Sequence, residues 1–100
     1  MSTDATVRWR AGERWPSGEL DPRSRELLEF ERSWRATGVP KERAVRARFG
    51  VSSTRYHQEL MRALDDPRAL AHDPVLVRRL RRLREIRRRT RFAERLGRAS

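Results

Sequence analysis

Two of the three Asp-Pro steps, Asp21-Pro22 and Asp73-Pro74, constrain this 100-residue chain more than any other feature. An Asp ahead of a Pro is a helix start. The carboxylate accepts from the free amides of the first turn, and proline suits the first helical position, where its missing N–H has no partner to lose. After the first start, Leu27, Phe30 and Trp34 recur at helical spacing and Leu28 broadens the stripe. Gly38 and Pro40 end that helix. A second, short helix is expected over about residues 40–49, with Ala44, Val45, Arg48 and Phe49 on one face and Gly50 as its stop. A third, capped by Ser52 or Ser53, runs to about Leu64 with Tyr56, Leu60, Ala63 and Leu64 inward. Asp65-Asp66-Pro67 breaks the pattern, and a single turn over Arg68–Ala71 follows. From Val75 a long helix reaches Leu96, about 33 Å at 1.5 Å per residue. Its stripe is Leu76, Leu80, Leu83 and Ile86, then thinly Thr90, Ala93 and Leu96, so its last two turns should be exposed or dependent on a partner. Neither strand period nor internal repeat is present.

The stretch KERAVRARFGVSSTRYHQELMRAL, residues 41–64, reads as helix, three-residue turn, helix. Gly50 gives the corner a positive φ that other residues adopt at a cost. Val51 plugs the angle, Ser52 satisfies amides of the next helix, and Phe49 and Tyr56 can meet across the turn. This resembles the helix-turn-helix of DNA-binding proteins. One departure is Arg46, four positions before the corner Gly, where many such motifs hold a small residue. A groove-entering helix needs short polar side chains near its N-terminus. Ser53, Thr54, Arg55 and Gln58 supply them, Arg matching guanine O6 and N7 and Gln matching adenine N6 and N7. Arg43, Arg46 and Arg62 are placed for flanking phosphates, which position without specifying sequence.

Charge points the same way. The formal net charge is +11, and all basic residues but Lys41 are Arg. Residues 75–100 hold eleven Arg against Glu85 and Glu94, for +9, while residues 1–74 carry only +2. Residues 41–62 carry +4. Two Glu cannot balance eleven Arg, so the C-terminal helix is expected to meet a polyanion, with Arg78, Arg81, Arg82, Arg84 and Arg88 toward phosphates. As a membrane-surface helix it has only Phe92 and no Trp, so a membrane partner is disfavoured.

Other classes are excluded by what the residues lack. Zero Cys rules out disulfides, Cys-based zinc sites and thiol catalysis. His57 and His72 form no metal spacing, and no phosphate loop, dinucleotide fingerprint or nucleophile motif occurs. No enzyme activity, cofactor or metal is expected. No run approaches a membrane span, and MSTDATVRWR has no apolar secretory stretch, which fits a cytoplasmic, nucleoid-associated protein.

The segments ELLEFERSW, RFGVSSTRYHQEL and DPRALAHDPVLVRRLRRLR, in this order, resemble a family of short basic actinobacterial proteins of unknown function. The resemblance covers about residues 20–90 and is most specific at Phe49 to Tyr56. It implies an actinobacterial cytosolic protein with a helix-turn-helix-like core, and brings no activity or binding residues.

The expected architecture is all-α: an extended N-terminal arm over 1–19, a helix-turn-helix-like core over 20–73, and an Arg-rich helix over 74–100 that packs on the core at its start. Trp9 and Trp15 lie in the arm. The core should comprise Leu27, Phe30, Trp34, Val45, Phe49, Val51, Tyr56, Leu60, Leu64, Leu76, Leu80 and Leu83, with Trp34 the anchor of the first helix. Losing a buried Trp typically costs about 3–5 kcal/mol, against about 5–15 kcal/mol for a whole domain. The expected function is binding of duplex DNA as a transcriptional regulator or nucleoid-associated factor. The alternative is an interaction module that docks on the transcription or translation machinery, on RNA or on an acidic protein surface. Monomer and homodimer both stay open: the C-terminal stripe could form an interface, but its Arg residues repel a second copy.

Overall fold

The structure, a computed structural model, describes residues 18–99. The arm over residues 1–17, with Trp9 and Trp15, lies outside the described residues, as does Ser100. Five α-helices follow one another among the described residues: α1 (Pro22–Ser33), α2 (Lys41–Phe49), α3 (Ser53–Asp65), α4 (Pro67–His72) and α5 (Pro74–Ala99). A 3-10 turn, Trp34–Thr37, extends α1. The chain is all-α.

Side-chain caps set the starts. Ser24 N–H donates to Asp21 Oδ2 at 2.9 Å, Arg55 N–H to Ser52 Oγ at 3.1 Å, Arg68 N–H to Asp66 Oδ1 at 2.9 Å and Leu76 N–H to Asp73 Oδ1 at 3.3 Å. The α2–α3 corner turns at Gly50, whose φ is 68°, and Gly50 N–H donates to Arg46 O at 2.9 Å. A Cβ there would meet nothing within 4 Å, so the glycine is required by backbone conformation and not by space.

Leu27, Leu28, Val45, Ala63, Leu64, Ala69 and Val77 are at most 1% exposed and form the centre of the core. Beside them Phe30, Phe49 and Tyr56 meet pairwise with ring centroids 5.4–5.6 Å apart, joining α1, α2 and α3. Leu20 is also buried, so the body begins at residue 20. Of the expected core, Phe49, Val51 and Leu80 are only partly buried and pack against it, and two further residues depart more clearly. Leu83 is 38% exposed and outside the core, because α5 turns Leu76, Val77 and Leu80 inward and continues that face with Arg84. Trp34, on the 3-10 turn, is half-buried and packs against the core from its rim, so it is not at the centre of the core.

Three polar residues are buried among the described ones: Asp21 and Ser24 at the start of α1, and Glu59 in α3. The Glu59 side chain is 3% exposed and takes a two-pronged contact from Arg23, Nε to Oε1 at 3.0 Å and Nη2 to Oε2 at 3.1 Å. The same guanidinium lies 4.8 Å from the Phe49 ring centroid. Burial alone would push the Glu59 carboxyl up. The Arg23 hydrogen bonds, with the charges of Arg23, Arg55 and Arg62, outweigh it and hold the carboxyl below its usual range. A depressed carboxylate stabilises the fold above its unfolded value and loses that contribution as pH falls through its folded value. Glu59→Gln should therefore cost about 1.5–3 kcal/mol at pH 7, where it leaves a charged donor unpaired. Thermal melts should show the gap to the parent narrowing as pH falls below the usual glutamate range.

Candidate nucleic-acid interface

The α3 helix has one buried side and one polar side. Tyr56, Glu59, Leu60, Ala63 and Leu64 turn inward. Ser53, Thr54, Arg55, Gln58 and Arg62 are all exposed. The cap at Ser52 fixes where the helix begins, so these side chains start at the first free turn. The structure divides the proposed reading set. Ser53, Thr54 and Gln58 line one shallow groove with Lys41, Glu42, Val45, Tyr56 and His57. Arg55 leans toward Glu59, 3.7 Å from Oε2. Glu42 adds a negative charge beside the polar residues of that groove, a feature absent from the sequence reading.

The flanking cations divide too. Arg46 is exposed in the last turn of α2. Arg43 is exposed as well, but lines a groove with Phe30, Trp34, Ala44 and Ala47. It therefore stands apart from the groove that holds Ser53 and Gln58.

The α5 helix runs back along α3. Arg81 Nε donates to Leu64 O at 2.9 Å and Arg84 Nη1 to Asp65 Oδ1 at 2.8 Å, both at the end of α3. Further along, Arg87 and Arg91 come near enough to His57, in the first half of α3, to depress its pKa. Later residues of α5 thus meet earlier residues of α3, and the two helices are antiparallel. Arg81 and Arg84 are occupied in this docking, which sets them apart from Arg78, Arg82 and Arg88, all exposed. At its start α5 is tied to α1, where Arg32 Nε donates to Asp73 Oδ2 at 3.0 Å. Burial would raise the Asp73 carboxyl, but Arg32 and the Leu76 amide hold it below the usual range.

Sequence reasoning left out the inner side of α5 beyond Leu80. Arg84, Arg87 and Arg91 continue the spacing of Leu76, Val77 and Leu80 and turn toward α3. The signal was present as i, i+3 and i+4 spacing, but in charged residues. His57, read as a surface or packing residue, sits among them. Burial lowers its pKa first, then the charges of Arg87, Lys41 and Arg91, against an opposing pull from Glu31. On the neighbouring side Lys41 Nζ is 2.8 Å from Glu31 Oε2, and the Tyr56 hydroxyl donates to the same oxygen. Burial, then that carboxylate, pushes the phenol pKa well up, so Tyr56 stays a neutral donor.

Among the described residues no group of three His, Asp or Glu side chains is placed to hold a metal ion. No described helix is long and apolar enough to cross a membrane. A family model described as Protein of unknown function (DUF3263) matches residues 19–92. No curated protein and no solved structure matches the chain.

The joint between α3 and α5 can be tested directly. Replacing Arg81 and Arg84 together by Ala removes the donor at Leu64 O and the partner of Asp65. Stability should fall by about 1–3 kcal/mol in denaturant unfolding, since both hydrogen bonds have a charged donor. Amide exchange should quicken in α5 before it does in α1.

Proposed function

We propose that this chain, which belongs to the DUF3263 family, binds duplex DNA through α3 and the exposed arginines of α5. The observation that carries the reading is the coincidence of a helix, three-residue turn, helix corner with an exposed polar start to its second helix. Thr54, Arg55 and Gln58 are exposed on the first two turns of α3, while the opposite side is anchored through Tyr56, Glu59 and Leu60. A rigidly held helix with a polar leading face is what entry into the major groove requires. Arg46 and Arg62 are exposed near that face, and Arg78 and Arg82 extend the cationic surface along α5. Phosphate contact there would add affinity without sequence preference. In this reading the protein is a regulator or nucleoid-associated factor, and its chemistry is binding.

A second reading has its own support. Ile86, Phe92 and Leu96 are 47%, 60% and 57% exposed on α5, more apolar surface than contact with DNA phosphates explains. A docking role on a protein partner, with RNA or an acidic surface against the arginines, would use them.

Fluorescence anisotropy with labelled random duplex, an RNA hairpin and single strands, at two salt concentrations, separates the readings. Tight duplex binding that weakens steeply with salt is the expected outcome. Replacing Arg78 and Arg82 by Ala should weaken all duplexes alike and reduce the salt slope by about 2. Replacing Arg55 and Gln58 by Ala should narrow discrimination between duplex sequences, by about 1–3 kcal/mol for each base that these side chains read. Preference for RNA over duplex would overturn the groove reading and favour the docking one.

A further inference from the structure

A cleft of about 220 Å³ lies between α3, the 3-10 turn and α5. Its apolar lining comes from Leu60, Met61, Leu80 and Leu83. Along one wall α5 supplies Arg79, Arg87, Arg88 and Arg91. Across from them stand Trp34 and Arg35, with Lys41 of α2 and His57 of α3. Thr54 and Gln58 are not part of it; the cleft adjoins the groove on the leading face of α3 and shares Lys41 and His57 with it.

The charges of this cleft are not balanced from within. Glu31 is the one carboxylate in its lining, and it already serves Lys41 and the Tyr56 hydroxyl. Arg84 at its edge is paired with Asp65. Arg35, Arg79, Arg87, Arg88 and Arg91 have no carboxylate within ion-pair distance among the described residues. Five guanidinium groups around one small volume repel one another. An anion that concentrates several charges in a short length relieves that repulsion, and phosphate oxygens match the planar fork of Arg. Pockets for whole small molecules are ordinarily about 300–1,000 Å³. This one is smaller, and suits a chain of two or three phosphates with any attached group left at the Trp34 edge.

We propose that this cleft binds an oligophosphate chain, either free or as the tail of a nucleotide. The proposal does not rest on the DNA reading. Partial burial, then the charges of Arg87, Lys41 and Arg91, hold the His57 imidazole pKa below its usual value, and Arg79 of α5 and Arg35 of the 3-10 turn also line the cleft. Glu31 of α1 opposes them. Bound phosphates reverse the sign of that field, so affinity rises as pH falls toward the usual histidine range.

The test is calorimetric titration of the full chain with inorganic tripolyphosphate, without divalent cations and at low salt. Saturable one-to-one binding is expected. Arg87→Gln with Arg91→Gln should weaken it at least tenfold. Arg78→Gln with Arg82→Gln, which removes as much charge from the opposite side of α5, should weaken it less than twofold. Equal losses from the two pairs would reduce the effect to net charge and overturn the proposal, as would the absence of saturation. A poly-glutamate peptide binding as tightly as tripolyphosphate would overturn it too. With ATP as a second ligand, tighter binding than tripolyphosphate identifies a nucleotide as the source and equal binding a free chain, and both uphold the site. In labelled protein, the His57 ring titration should move to higher pH on saturation with tripolyphosphate, and an unmoved midpoint would place the anion elsewhere. Arg55→Ala with Gln58→Ala should leave tripolyphosphate affinity unchanged, so this site and the DNA reading fail separately.

Discussion

Glu59 occupies a position where an apolar side chain would complete the inner stripe of α3. The arrangement of the first three helices follows from how that carboxylate is neutralised. Arg23 reaches it from α1 with two nitrogens, across 36 positions of sequence. The same guanidinium covers the Phe49 ring and so draws in the end of α2. Removing either partner of such a pair leaves a desolvated charge, and that penalty exceeds the net worth of the intact pair. The pair thus acts less as a source of stability than as a condition on geometry. It ties α1 to α3, and the Phe30, Phe49 and Tyr56 rings pack pairwise across α1, α2 and α3.

The helix starts were legible in the sequence because each is a local event. Asp21, Ser52 and Asp73 bond to amides three positions ahead, and no distant residue is needed to place them. The stop at Gly50 is equally local. Glu59 was not legible, because its partner is distant and a Glu on a helix is ordinarily solvated. The course of α5 was ambiguous for another reason. From Leu80 a helical stripe continues equally well at Leu83 or at Arg84, and hydrophobicity alone favours Leu83. Asp65 at the end of α3 decides for Arg84, and from there the inner side of the helix is cationic. The polar residues of α3 could be read as exposed from its period. That Ser53 and Gln58 share a groove with Glu42 while Arg55 leans toward Glu59 depends on tertiary packing.

Asp73 joins local and distant structure in one carboxylate. One oxygen accepts from the Leu76 amide and the other from Arg32 at the end of α1. Capping and tethering are therefore coupled: the group that starts α5 also sets its angle to the body. Asp66 at α4 stays local: it accepts from the Arg68 amide and pairs with the Arg68 side chain. Short connections with fixed exit directions leave little freedom between the helices. The cationic length of α5 is accordingly presented in a defined direction.

The positive charge of this chain resides almost wholly in guanidinium groups, with Lys41 the single lysine. Guanidinium stays protonated throughout the pH range in which proteins remain folded, and it resists the acylation that readily neutralises amines. The electrostatic character of the surface is in that sense permanent. The exception has a fixed address. Lys41 sits 5.4 Å from the Trp34 ring centroid and against Glu31, with its side chain 40% exposed. Amine-directed chemistry on the side chains of this protein therefore has one target, and an aromatic reporter stands beside it.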